Sequence, residues 1–134
     1  MTGDGPVRLE DGWLLPLSEQ QVTRCCLDFA AVRILCENLV EIIIEELFTL
    51  TMPDGQVYAV DPSPSGDPTD AAPILRIMRR VIREGTAFDD GTLEVIFEDG
   101  ARIDVPFGRE YEAWHITGGE EGFLLVSLPG GGLG

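Results

Sequence analysis

The alternation of apolar and polar residues is clearest between residues 92 and 127, TLEVIFEDGARIDVPFGREYEAWHITGGEEGFLLVS. Leu93, Val95 and Phe97 alternate with Glu94 and Glu98, and beyond a turn Ala101, Ile103, Val105 and Phe107 alternate with Arg102 and Asp104. A period of two marks strands that bury one face. The turn fixes their register. A two-residue loop at Asp99-Gly100 would set Phe97 opposite Arg102 and throw the apolar sets onto opposite faces. A three-residue loop, Glu98-Asp99-Gly100, pairs Phe97 with Ala101, Val95 with Ile103 and Leu93 with Val105, so the apolar match selects it. Such a loop is a type I turn closed by a residue of positive φ, the place of Gly100. The same count over residues 48–60 makes Pro53-Asp54-Gly55 a loop and pairs Met52 with Gln56, Leu50 with Tyr58 and Phe48 with Val60. Asp90-Gly91 reads as a third corner of this kind.

Elsewhere the pattern is mostly that of further strands. Residues 7–17 predict a short hairpin around Asp11-Gly12 anchored by Trp13, and residues 22–36 one strand or two, broken near Ala30-Ala31. Residues 39–52 are rich in β-branched side chains, and Val40, Ile42, Ile44, Phe48, Leu50 and Met52 share the even face, interrupted by Glu46. That predicts a long strand, bent or bulged near Glu45-Glu46. After the polar, proline-rich loop at 61–72, Ile74, Leu75, Ile77, Met78, Val81 and Ile82 fall in one arc at 100° per residue. Arg76, Arg79, Arg80 and Arg83 fall in the opposite arc. A helix over about 71–84 follows, capped by Thr69 or Asp70, with Pro73 in its first turn and Gly85 at its stop. Residues 1–5 and the glycine-rich 129–134 are expected as loose ends, and the loop of Gly118, Gly119, Glu120, Glu121 and Gly122 as flexible. The expected architecture is therefore mainly β (α+β), an antiparallel curved sheet or small β-sandwich of meander hairpins with one helix packed on it, in a single domain, 1–134.

Charge alters the list of partners more than it alters the fold. The formal charge is −15, with 24 acidic residues against nine cations, all of them arginine. A field of that sign repels nucleic acid and anionic membrane and favours a basic protein. The longest apolar run is too short to span a bilayer, and three cysteines without a leader segment imply reduced thiols in the cytoplasm. Cys25 and Cys26, adjacent on a strand, point to opposite faces, and no CxxC or Cys/His grouping exists, so neither a metal site nor a cofactor is expected.

Several stretches, taken in order, resemble a known family. They are IIIEELFTLTMPDG, APILRIMRRVI, DDGTLEVIFEDGARIDVP, YEAWHITG and LVSLPGG, spanning about residues 22–131. The order is similar to that of small uncharacterised bacterial proteins, mostly actinobacterial, grouped as a domain of unknown function. The more specific marks are Tyr111-Glu112-Ala113-Trp114 and Pro129-Gly130-Gly131. Members often continue into a short apolar end with a tryptophan, which this chain, ending at Gly134, lacks. The resemblance implies a small, mainly β fold with one helix, and it implies no activity or functional residue.

The chemistry-bearing residues are sparse. His115 is the lone histidine, and on the alternation of residues 111–116 it shares a face with Tyr111 and Ala113. It has no nucleophile-elbow pattern beside it, and a strand histidine is more often structural than catalytic. Carboxylate pairs at 45–46, 89–90, 98–99 and 120–121 fall mostly in turns, where solvent keeps them ordinary. The arginine row concentrates four of the nine cations and could receive an acidic partner or a phosphate, although a solvated helix face explains it better. Tyr111 and Trp114 are interface anchors or core. The leading expectation is a non-enzymatic acidic cytoplasmic binding module without cofactor, of the kind that neutralises a basic toxin in bacterial competition. The competing ones are a small hydrolase or ligand pocket built from buried carboxylates and His115, and a structural homodimer.

Overall fold

The computed structural model describes residues 5–118 and 122–134. Its twelve strands are β1 (Val7–Arg8), β2 (Gly12–Leu14), β3 (Val22–Leu27), β4 (Val32–Cys36), β5 (Glu41–Ile44), β6 (Phe48–Thr51), β7 (Val57–Val60), β8 (Ile82–Phe88), β9 (Leu93–Phe97), β10 (Arg102–Val105), β11 (Trp114–Gly118) and β12 (Phe123–Val126). They form two antiparallel sheets, one ordered β1-β2-β8-β9-β10-β6-β7 and the other β12-β11-β5-β4-β3. Their inner faces share one core, with Phe48, Leu50, Val95, Phe97 and Ile103 from the first and Ile34, Ile42, Ile44, Trp114 and Ile116 from the second. This is an open sandwich, mainly β with one helix.

The predicted registers hold. Val95 faces Ile103 and Leu93 faces Val105, while Phe97 N–H donates to the Ala101 carbonyl at 2.8 Å. Leu50 faces Tyr58, Phe48 faces Val60, and Met52 N–H donates to Gln56 at 2.8 Å. Gly55, Gly91 and Gly100 take φ of 91°, 96° and 98°. The first hairpin also forms, with Val7 opposite Leu14 and Arg8 opposite Trp13. The 39–52 run breaks where expected, at Glu45-Glu46, but the break is larger than a bulge. β5 pairs with β4 and β11 in one sheet, and β6 pairs with β7 and β10 in the other. The corner carries the chain from sheet to sheet.

The helix differs from expectation. It is a 3-10 helix at Pro68–Ile77, entered through Asp67, whose carboxylate accepts from Thr69 N at 2.9 Å and Thr69 Oγ1 at 2.8 Å. Those hydrogen bonds hold the Asp67 carboxyl below the usual carboxylate range. Residues 78–84 are not helical. Arg79 turns the chain at φ 70°, its N–H donates to Val22 (3.0 Å), and Val22 N–H donates back to Arg80 (2.9 Å). Pairing with β3 thus claims this backbone, and β8 begins at Ile82. The helix packs on β7 and β3, the terminal strands of the two sheets, and bridges them along one side.

The C-terminal residues are not loose either. Gly131 N–H donates to Leu128 (3.0 Å), Leu128 N–H to Gly132 (2.9 Å) and Gly134 N–H to Val126 (2.8 Å), so 126–134 folds back as a hairpin. Its glycines serve tight turning and close approach rather than fraying. The acidic pair Glu120-Glu121 and most of residues 1–5 lie outside the described residues.

Candidate functional site

Trp114 belongs to the core. It is fully buried between the sheets, and its indole Nε1 donates to the Gly91 carbonyl at 2.9 Å. Ser127 Oγ donates to the same oxygen at 2.8 Å, so one carbonyl satisfies two buried donors. His115 points the other way, half-buried on the outer face of the five-stranded sheet between Ile43 and Val126. The alternation that put Tyr111 and Ala113 on its face stops short of them, because Ala113 is buried and Tyr111 lies in a bend before β11. The outward thiol nearest in register is Cys26, three strands away through Ile43 and Arg33. At about 4.8 Å per strand that is roughly 14 Å, too far for a Cys–His pair. Burial pushes the Cys25 thiol up to about 11 and the Cys36 thiol up to about 12, so both stay protonated at neutral pH and are poor nucleophiles.

The four arginines do not form one row. Arg76, near the helix end, stacks on the Tyr58 ring with its guanidinium 4.4 Å from the centroid. Arg79 occupies the left-handed turn, Arg80 pairs with Asp99 and donates Nε to the Arg76 carbonyl at 2.8 Å, and Arg83 lies exposed on β8. Ending the helix at Ile77 disperses the surface that the helical period had gathered.

What the fold does gather lies at the β5–β6 corner. Leu47 is 49% exposed there, beside Pro106, Phe107 (38%) and Tyr111 (79%) of the 106–113 segment. Glu45 N–H donates to the Ala113 carbonyl at 2.8 Å and fixes the two segments together. Two hollows meet at Leu47 and Pro106. One, of about 420 Å³, adds Phe107, Tyr111, Glu46, Glu110 and Arg109. The other, of about 590 Å³, extends over the outer face of the seven-stranded sheet, past Phe88, with Glu94 and Asp104 on its floor. Four carboxylates and a single arginine line the pair. An exposed apolar and aromatic surface with a charged rim is the anatomy of a binding face. Of its anchors, the sequence pointed only to Tyr111. Leu47 falls inside the long strand that the sequence predicts, and the alternation sets Phe107 on the inner face, whereas Pro106 follows the last residue of β10 and turns Phe107 onto Gly91 and Gly131.

Among the described residues, the groups a hydrolase would need are not brought together. The buried polar residues among them are Thr86 and Ser127, and the carboxylates of the hollows are half or fully exposed. His115 sits on the outer face of one sheet, and Glu94 and Asp104 sit on the outer face of the other. Among the described residues, no group of three or more His, Cys, Asp or Glu is placed to hold a metal ion. Among them too, no helix is long and apolar enough to cross a membrane.

No curated protein and no solved structure matches the chain. A family described as a family of unknown function, DUF6188, matches residues 13–134, which takes in the five-stranded sheet, the seven-stranded sheet from Trp13 of β2 onward, the 3-10 helix and the acid-rimmed corner. The chain belongs to that family.

Proposed function

We propose that this chain is a single-domain, non-enzymatic, acidic cytoplasmic module that captures a basic protein, as an immunity protein neutralises a basic toxin. The observation that carries this reading is the patch of Leu47, Phe107 and Tyr111, exposed at one corner and rimmed by Glu46, Glu110, Glu94 and Asp104. Aromatic and aliphatic anchors supply desolvated contact, and the carboxylates steer a cationic surface toward them. The net charge of −15 extends that steering beyond the patch.

Affinity capture from the native host, repeated across a salt series, tests it. The captured protein should be basic and should elute as salt rises, because the Debye length shrinks from about 10 Å at 0.1 M to about 3 Å at 1 M. Leu47→Ala with Tyr111→Ala should weaken capture by about 30-fold, the size of one hot-spot loss. Arg79→Glu with Arg83→Glu should leave it intact or slightly faster, since those residues lie on the 3-10 helix exit and β8 rather than in either hollow. An acidic or salt-insensitive partner, or one retained by the double alanine variant, would sink the reading.

A further inference from the structure

The larger hollow has a chemistry more specific than the patch beside it. In the β9–β10 ladder Phe97 and Ala101 are a hydrogen-bonded pair, so Glu94 and Asp104 fall on a non-hydrogen-bonded pair, directly opposite on the outer face. Such residues have Cα atoms about 4.5 Å apart and the closest side chains in a sheet. Two like charges at that position work against the sheet. Arg102 Nε donates to Asp104 Oδ2 at 2.7 Å and its charge also reaches Glu94, but the Glu94 carboxylate has no hydrogen bond from it, and the three groups carry one negative charge in excess. Above this floor stand apolar walls, Leu47, Phe88 and Pro106, with Leu47 49% exposed.

We propose that this groove receives a single arginine side chain of the basic partner. The inference rests on the proposed function and adds what the partner must present. The chemistry fits at both ends of the side chain. The aliphatic stem of an arginine packs along Leu47, Phe88 and Pro106, as such stems cover apolar surface while the head stays polar. The guanidinium meets Glu94 with its planar fork, which matches a carboxylate bidentately and carries a weaker hydration shell than an ammonium. One added positive charge also balances the two carboxylates of the floor against the Arg102 guanidinium that Asp104 holds beside it. Thr49, opposite Asp104 on β6, places a hydroxyl at the same level as a further acceptor.

The test uses the isotope-labelled chain and two acetylated, amidated peptides, Ser-Leu-Arg-Leu-Ser and the same peptide with citrulline in place of arginine. Citrulline keeps the shape and removes the charge. Amide shifts should move at Leu47, Phe88, Glu94 and Asp104 on titration with the arginine peptide. Affinity should fall at least tenfold with citrulline and at least tenfold in Glu94→Gln. Butylguanidinium should bind the same residues more weakly than the peptide. Equal binding of the citrulline peptide, no effect of Glu94→Gln in a variant whose spectrum stays dispersed, or shifts confined to other residues would overturn the proposal. Butylguanidinium binding as tightly as the peptide would overturn it too, in favour of a site for a small free cation. Tyr111→Ala separates the two readings. Capture lost in Tyr111→Ala, with the arginine and citrulline peptides binding alike, removes the arginine groove and leaves the patch, and capture intact in Tyr111→Ala, with peptide binding still selective for arginine, does the reverse.

Discussion

Three aspartates do identical work at three corners. The carboxylates of Asp54, Asp90 and Asp99 accept from the N–H two residues on, at Gln56 (2.9 Å), Thr92 (2.9 Å) and Ala101 (3.0 Å), and a glycine of positive φ follows each. In sequence the corners look alike. Their surroundings are not. A Cβ on Gly55 or Gly100 would meet nothing within 4 Å, whereas one on Gly91 would come within 2.9 Å of Gly132 N and 3.1 Å of Phe107 Cβ. Gly91 also offers the carbonyl that Trp114 and Ser127 share. Gly100→Ala should therefore cost about 1–2 kcal/mol, the left-handed backbone penalty alone. Gly91→Ala should cost about 1–3 kcal/mol more, because the C-terminal hairpin must also give way. Urea denaturation of the two variants measures the difference. Equal midpoints would show that the hairpin does not bear on this corner.

At the scale of elements, hairpins were legible and the helix was only half so. A hairpin is specified by neighbours, because alternation and a turn residue fix its register within a dozen positions. The predicted helix arc comprises Ile74, Leu75, Ile77, Met78, Val81 and Ile82; within the helix that forms, Leu75 is exposed, and Ile74 and Ile77 are fully buried. Their spacing of three fits a 3-10 turn as well as an α-helix. What decides between them is remote: backbone groups of residues 79–82 bond to Gln20 and Val22, which no local period reveals. The sheet change at Glu45-Glu46 was equally local in appearance and remote in cause. The site suffered accordingly, since Leu47 and Phe107 became surface only through those choices. Arg79, forced to φ 70°, is the residue that bears the cost. Arg79→Gly should raise stability by about 0.5–1 kcal/mol, the left-handed penalty less the entropy glycine loses on folding. Thermal unfolding gives the answer, and a lowered midpoint would mean that the arginine side chain contributes more than its backbone costs.

Across the whole molecule, charge is unevenly matched. Arg8 with Asp89, Arg33 with Asp28 and Glu41, Arg80 with Asp99, and Arg102 with Asp104 are paired at the surface. Exposed pairs of this kind contribute little, and a net charge of −15 remains to repel itself. Salt should therefore stabilise the fold rather than weaken it. Between about 10 mM and 1 M sodium chloride the Debye length falls from about 30 Å to about 3 Å. Relief of about 1 kcal/mol would raise the melting temperature by roughly 4 °C. Scanning calorimetry across that range checks it, and a melting temperature that falls with salt would mean that the arginine pairs outweigh the repulsion.

The sheet order also sets a timetable. Hairpins β1–β2, β3–β4, β4–β5, β6–β7, β8–β9, β9–β10 and β11–β12 join strands adjacent in the chain, and such units form in about 1–10 μs. The remaining ladders need distant partners, Trp13 beside Ala87, Thr49 beside Asp104 and Ile43 beside His115. Closing loops of that length before any contact rewards them places assembly of sandwiches in the millisecond-to-second range. During that interval the finished hairpins stand with bare edges, each a template for a neighbouring chain. Dilution should then favour refolding over precipitation, because pairing between chains grows with their concentration and hairpin closure within a chain does not.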